Sequence, residues 1–495
     1  MLSRRSFLAA SLAAATPAAW AQSASKAKPP KPEGVLVNDV HAQLSSAMVW
    51  KIVEPDSLEG VRAAFALARK EKRALSIAGG RSAMGGQEFG AESVLIDTRK
   101  LSKVIDFDAE RGLIEVEAGV QWPRLYDFLA AGQQGRDKQW TFAQKPADID
   151  RVTIGGSLSA NIHGRGLAMA PFASDIESFK LLDHKGELVN CSRTENIELF
   201  KLAIGGYGLF GFVYSVTMRL VPRRKLERVV DLRDIDGLHV LFADRFADGF
   251  LYGDFQLSTD DKSPEFLRHG IFTCYRAVPG ETPVPAFPPV IDEKDRVSLF
   301  ELAHSDKRAA FMRLSSHYQA THGQVYWSDQ QQMALYPEGY HREVDKRLGN
   351  LRGSEMMAEV CCAREQIEPF MNEVRQYALR EQVEIISATV RVVEPDNDTY
   401  LAWSRRPCAC IAFNVHLEHS TRGLIRAGDT FRRLIDIGLR HGGGWYLAYH
   451  RHALRRQLDL WYPQFSEFLK LKGKHDPSEL FQSDWYRHYK ALYSR

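Results

Sequence analysis

The chain has 495 residues, too many for one ordinary domain and enough for two or three that each bury a core. Hydrophobic residues make up 44% and charged residues 26%, and the formal net charge is +3, which excludes a disordered, collagen-like or nucleic-acid-coating chain. Six cysteines (Cys191, Cys274, Cys361, Cys362, Cys408 and Cys410) lack the CxxC spacing of a zinc site, so no metal is expected and most read as small buried hydrophobes.

At the N-terminus, Ser3-Arg4-Arg5-Ser6-Phe7-Leu8 precedes an apolar run to Ala19, and Ala19-Trp20-Ala21 supplies small residues before Gln22. Residues 1–21 resemble a twin-arginine export signal. That resemblance implies passage through the twin-arginine machinery in the folded state and a periplasmic or secreted destination. An ordinary secretory signal with a chance arginine pair is the alternative. No other stretch approaches the roughly 20 apolar residues of a membrane span. Residues 22–47, with Pro29-Pro30-Lys31-Pro32, read as a flexible linker.

Val49, Ile52 and Val53 predict a strand, and Pro55-Asp56-Ser57-Leu58-Glu59 a helix start with Asp56 and Glu59 at capping-box spacing. Leu58, Val61, Phe65 and Ala68 share one helical face, and Leu75–Ala78 is a second strand, completing a β-α-β unit. The turn that follows, Gly79-Gly80-Arg81-Ser82-Ala83-Met84-Gly85-Gly86-Gln87, leads to another strand at Val94–Asp97 and not into a helix. It therefore fails the fingerprint of a Rossmann dinucleotide site, yet glycines of this kind let backbone N–H groups approach phosphate oxygens.

Two more such segments follow. Leu113–Gly119 reads as a strand and Trp122–Leu129 as a short helix begun by Pro123. Val152-Thr153-Ile154-Gly155-Gly156-Ser157-Leu158-Ser159-Ala160-Asn161-Ile162-His163-Gly164 reads as a second loop, and Gly205-Gly206-Tyr207-Gly208-Leu209-Phe210-Gly211, ahead of a strand from Val213, as a third. Three backbone-approach segments suit a long ligand with a pyrophosphate in its middle.

In this order and spacing, GGRSxxGGQ, the strand ending in Asp97, Glu117-Ala118-Gly119-Val120, TIGGSLSANIHG, Asp175-Ile176, Leu199-Phe200 and the last glycine cluster resemble the FAD-binding domain of the vanillyl-alcohol oxidase superfamily. Tyr462-Pro463 and Asp476–Asp484 are similar to the closing segment of members that oxidise sugars and alditols, especially decaprenylphosphoryl-ribose oxidases, beside the aldonolactone oxidase-like members. The resemblance implies an α+β chain: a PCMH-type FAD-binding domain at 48–222, with subdomains at about 48–100 and 101–222. A substrate domain on an antiparallel sheet with flanking helices would follow at 223–440, and a segment at 441–495 would return to the FAD domain. It places FAD on Gly79, Gly80, Arg81, Ser82, Ala83, Met84, Gly85 and Gln87, on Thr153, Gly155, Gly156, Ser159, Asn161 and His163, and on Gly206, Gly211 and Val213. His163 would face the flavin or the substrate, unless it merely bonds its own loop. Many members tether FAD through a histidine before the serine of the first loop; here Arg81 holds that position, and residues 143–154 contain no cysteine, so the implied binding is noncovalent.

A flavin accepts hydride, so the protein must place a C–H against it and take a proton from the attached OH or NH. In the strand Cys408–His416, alternation puts Cys408, Cys410, Ala412, Asn414 and His416 on one face. In the later turn, Tyr449 aligns with a lysine of the decaprenylphosphoryl-ribose oxidases, a departure that leaves the substrate open. His416, Tyr449 and His450 are the candidate bases, Tyr449 only if Arg451 or His450 lowers its pKa. His163, Cys410, Asn414 and Arg451 are candidate substrate contacts. Surface positions for His450 and His452, and a core position for His416, are the alternatives. Tyr326, Trp327, Tyr336, Tyr340 and His341 would line a pocket or fill a core.

The reading is an FAD-dependent oxidoreductase acting on the CH–OH group of a sugar, alditol, lactone or similar small molecule, passing electrons to oxygen, a quinone or a redox protein. Oxidation of an amine, phenol or C–C bond, and a flavin-free envelope binding protein, are the alternatives.

Overall fold

The computed structural model describes residues 34–144, 151–286, 289–329 and 339–494; the expected export signal, the first part of the linker and Tyr336 lie outside the described residues. The stretch expected to be a flexible linker up to Ala47 is ordered from Gly34. Val35–Val37 pairs antiparallel with Ala47–Val49, and the buried carboxylate of Asp39 accepts the amides of His41, Gln43, Leu44 and Ser45 between them.

A small parallel sheet comes next, with Val94–Asp97 between Lys51–Val53 and Leu75–Ala78. The helix Leu58–Lys70 crosses it and buries Val61, Ala64, Phe65 and Ala68, the face set by their spacing. Its cap is Ser57 and not Asp56, because Ser57 takes the extended conformation and its hydroxyl accepts the Gly60 amide.

A five-stranded antiparallel sheet forms the second subdomain, in the order Leu188–Ser192, Ile176–Leu182, Phe212–Arg219, Leu113–Glu117, Val104–Asp108. Ile154–Ala160, expected as loop, is a short helix. The Thr153 hydroxyl caps it by accepting the Gly156 amide, and its buried Ile154 and Leu158 join the core beneath the sheet, which overrides the poor helix propensity of two glycines and two serines.

The second domain is a seven-stranded antiparallel sheet. Its order is Val325–Trp327, Lys225–Asp234, His269–Val278, Phe250–Leu257, Ile385–Val393, Cys408–Glu418, Gly353–Ala363. The helices Ile367–Glu381 and Thr421–Arg440 bury apolar faces, while Glu293–Ser305 and Lys307–Ala320 bury little and wall a cavity described below. The C-terminal segment returns to the first domain: Leu480 and Gln482 exchange backbone hydrogen bonds with Leu75, and Phe481 packs edge-on against Phe65. Among the described residues no helix is long and apolar enough to cross a membrane.

Candidate active site

The two subdomains of the first domain meet along a cleft. Gly79, Ala83, Gln87, Thr153, Gly155, Gly156, Ser159, Gly211 and Val213 line it, together with Ile77, Glu88, Thr98, Ala118, Ala160, Tyr207 and Gly208. The first two glycine segments interlock: a Cβ on Gly79 would stand 2.2 Å from the Thr153 hydroxyl, and one on Gly155 2.8 Å from the Ala118 Cβ. Close approach without side chains is thus what holds the cleft walls at their spacing.

The first loop also leaves amides unpaired among the described residues. Arg81 takes a left-handed φ of +59°, and the amides of Arg81 and Ser82 donate to no group among the described residues. Successive N–H groups in such a conformation form an anion-binding concavity. The Arg81 guanidinium itself is held 3.0 Å from Asp97. Glu88, unflagged in the sequence, lines the cleft, and burial first, then the nearby Asp39, push its carboxyl well above the ordinary range.

At the end of the Ile154–Ala160 helix the chain passes from this cleft into the second domain. Ala160 lines the cleft, His163 follows, and Arg165 lines a second and larger cavity. His163 Nε2 stands 2.5 Å from Oε1 of Glu359, on the Gly353–Ala363 strand, and the Tyr449 hydroxyl donates to Oε2 of the same carboxylate at 2.8 Å. Tyr446 fixes the junction, donating its hydroxyl to the Ala160 carbonyl and its amide to the Glu359 carbonyl. Trp403 packs on both His163 and Tyr446, with ring centroids 5.0 and 4.9 Å apart.

Burial opposes ionisation of Glu359, but the charge and hydrogen bond of His163, the Arg391 guanidinium and the Tyr449 hydroxyl outweigh it and hold the carboxyl below its ordinary value. Burial and that same carboxylate push the Tyr449 phenol well above its ordinary value. A charged acceptor therefore sits behind a neutral, proton-donating phenol.

The larger cavity, of about 720 Å³, opens over the face of the second sheet under the two polar helices. Gln256, Ser387, Thr389 and Arg391 form its polar floor, and Leu299, Phe300, Phe311 and Leu314 of the two helices its apolar roof. The Arg391 Nε has no hydrogen-bond partner among the described residues. The charge of this cavity residue reaches the Glu359 carboxylate behind it.

Of the candidate bases, none stands as expected. His416 does lie on the predicted face of its strand, but it pairs with Glu355 at 3.3 Å, four residues along from Glu359. Tyr449 bonds to Glu359, yet its pKa is raised where the expectation required it lowered, since burial and then Glu359 outweigh the lowering by Arg391. His450 is buried rather than on the surface; burial first, then its neighbours, hold its pKa well below the ordinary value, and its ring packs against Phe431 and His452.

The expected substrate contacts divide in the same way. Asn414 faces His41 at 3.4 Å. The Cys410 thiol lies 2.7 Å from that of Cys361 and 3.8 Å from that of Cys408, in a buried thiol cluster. Arg451 points toward Gly86 and the C-terminal helix, not the cavity. Asn161, in a left-handed conformation, ties Asp396 and the Ala173 amide, and Gln87 reaches the carbonyls of Leu447 and Tyr449, so both hold the site's parts together. Met84 and Gly85 pack in the same joint, and Gly206 sits against the Leu202 carbonyl, outside the cleft wall that Tyr207 and Gly208 supply. Glu359, Arg391, Arg165, Tyr446 and Trp403 were missed.

The chemistry of these walls suits a flavin dinucleotide: the unpaired amides at Arg81 and Ser82 could take phosphate oxygens, beside a glycine-lined slot between two subdomains. Residues 51–192 match the family described as FAD binding domain, and residues 345–489 the family described as D-arabinono-1,4-lactone oxidase. Relatives include L-gulonolactone oxidase of Bos taurus, 27% identical over 35% of this chain and 38% of that protein. Mitochondrial L-galactono-1,4-lactone dehydrogenase 2 of Oryza sativa is 29% identical over 39% of this chain and 32% of the relative. A putative D-arabinono-1,4-lactone oxidase of Neurospora crassa is 27% identical over 34% and 29%. These matches span about a third of the length of the relatives. With a match to an FAD binding domain at its start, a match to a D-arabinono-1,4-lactone oxidase domain toward its end and a glycine-lined cleft in the first of these, the chain is similar to PCMH-type flavoproteins and to their aldonolactone oxidase-like members, consistent with the vanillyl-alcohol oxidase superfamily.

Proposed function

We propose that this protein is an FAD-dependent oxidoreductase that oxidises the CH–OH group of a sugar lactone. The observation that carries the reading is Glu359, a buried carboxylate held ionised between His163, which follows the cleft-lining segment, and the charge of Arg391 in the large cavity, with Tyr449 hydrogen-bonded to it. Bound FAD supplies a ring nitrogen that accepts hydride. The chain's own part is to hold the substrate carbon there and to remove the hydroxyl proton. The Tyr449 oxygen accepts that proton while its own moves to Glu359, so the phenol stays neutral throughout. Arg391 donates to the substrate's oxygens, and the apolar roof excludes water around them.

The relatives named for L-gulono-, L-galactono- and D-arabinono-lactone support lactones over amines, phenols and C–C bonds. Binding of FAD without a covalent link follows from Arg81, which cannot form one. Reduced cofactor would pass its electrons to oxygen, a quinone or a redox protein. Export to the periplasm by the twin-arginine machinery rests on Ser3-Arg4-Arg5-Ser6-Phe7-Leu8 and the apolar run after it. The test of the main reading is anaerobic bleaching of the flavin spectrum of the purified protein by the three lactones, against alditols and amines as controls. A protein that holds flavin and is bleached by none of the lactones overturns it.

A further inference from the structure

Away from the cofactor junction, three elements bring a second set of donor atoms together. The helix Glu293–Ser305 presents His304 in its last turn, and the two neighbouring strands present Glu355 and His416 directly opposite one another in register. The side chains of His304, Glu355 and His416 are 1%, 0% and 7% exposed. His304 Nε2 stands 3.1 Å from Glu355 Oε1, and His416 Nδ1 stands 3.3 Å from the same oxygen. The two imidazole rings are perpendicular, with centroids 4.8 Å apart, and one ligand atom from each of the three residues lies within 4.8 Å of the others.

One hydrogen bond, between His416 Nδ1 and Glu355 Oε1, does not use up the polar atoms of this cluster. His304 Nε2, although 3.1 Å from the carboxylate, lacks the alignment of a hydrogen bond; both its ring nitrogens and Glu355 Oε2 are buried without a hydrogen-bond partner among the described residues. The other charged group near His304 is Glu384, 3.9 Å from Nδ1. Buried ring nitrogens and a carboxylate oxygen left without partners at this spacing are the arrangement of ligands around a cation. Bonds of about 2.0–2.1 Å from imidazole and carboxylate place neighbouring ligand atoms about 3.0–3.4 Å apart, as both histidine nitrogens are from Glu355 Oε1 here.

We infer that His304, Glu355 and His416 bind a divalent transition-metal ion of the zinc class. Two imidazoles and one carboxylate are the donor set such an ion selects over calcium or magnesium. Glu355 is four residues from Glu359 along the strand, about 13 Å, so the ion would not touch the reacting atoms. Its work is mechanical: it fastens the helix that carries Leu299, Phe300 and Ala303, part of the large cavity's wall, to the two strands beneath.

The test uses the full-length flavoprotein, purified without metal-affinity chromatography. Mass-spectrometric metal analysis should find about one zinc-class ion per chain, falling below about a tenth in Glu355→Gln and in a His304→Gln/His416→Gln double variant, with flavin content unchanged. Protein stripped with a chelator and refilled with Co²⁺ should show ligand-field absorption to the red of the flavin bands. Should the variants not yield soluble protein, the wild-type stoichiometry and the cobalt spectrum decide alone. Wild-type protein that is metal-free and takes up no Zn²⁺ at micromolar free ion overturns the inference, as does Zn²⁺ retained equally by the variants.

Discussion

The hydroxyl of Tyr449 donates to Oε2 of Glu359 at 2.8 Å, joining the turn before the C-terminal helices to the last strand of the second sheet. Because the carboxylate is ionised and the phenol is not, the pair is set to move a proton inward from the cavity. Glu359→Gln removes the final acceptor and should lower kcat about 100-fold or more, the size of a general-base contribution. Tyr449→Phe breaks the relay one step earlier and should cost a similar factor, and the double variant should be little worse than either single one. Flavin content checks that neither change acts through cofactor loss. Full additivity of the two effects would show that they serve separate steps.

The same pair sets the pH dependence. Glu359 has its pKa depressed in the folded protein, so it stays ionised as pH falls through the ordinary carboxyl range, and activity should be lost only below about pH 4.5. Its stabilising contribution has the same sign: present above the unfolded pKa, lost as pH falls through the folded one. Tyr449 titrates above about pH 10, so no alkaline limb should come from it. A profile of kcat/KM against pH for wild type and Glu359→Gln checks both statements. An acidic limb near pH 6 to 7 would assign the proton to a histidine instead.

Much of the first domain was legible because its constraint falls on residue type. Gly79 and Gly155 abut Thr153 and Ala118 so closely that only glycine fits, and such a requirement shows in a single sequence. The Ile154–Ala160 helix was not legible, since its Gly-Gly-Ser composition argues for a loop while its stability comes from a threonine cap and two buried apolar side chains. Glu359 hid for another reason. It sits in the run Met356-Met357-Ala358-Glu359-Val360-Cys361, where alternation cannot say which face is polar, and its partner His163 is 196 residues away. The available signal was a pair of acids, Glu355 and Glu359, four apart on one face of an otherwise apolar strand. For His416 the alternation argument found the correct face but not the correct neighbour, because distance along the strand from the cofactor cannot be read from period two.

Arg391 stands in the cavity floor with its Nε unpartnered and Glu359 within its electrostatic influence. Arg391→Met should raise KM for the oxidised substrate about 10- to 100-fold, the loss of one charge-assisted hydrogen bond. It should also move the acidic limb of the pH profile upward, because Glu359 loses a cation that favours its charged form. Steady-state kinetics across pH separate the two effects. An unchanged limb would mean that the guanidinium does not act on Glu359.

Gly155 and Gly156 are adjacent, yet their substitution should have different consequences. A Cβ at Gly155 would lie 2.8 Å from the Cβ and 3.0 Å from the carbonyl oxygen of Ala118, backbone that cannot easily retreat, so Gly155→Ala should lower the melting temperature even without cofactor. At Gly156 the nearest atom is the Thr153 hydroxyl at 3.1 Å, and the position faces into the cleft. Gly156→Val should therefore leave the melting temperature of the apoprotein nearly unchanged and weaken FAD binding about tenfold or more, some 1.4 kcal/mol. Acid precipitation of wild type should release all of its flavin into the supernatant, since Arg81 offers no nucleophile for a covalent link. Undiminished FAD affinity in Gly156→Val would place the cofactor elsewhere than between the two glycine segments.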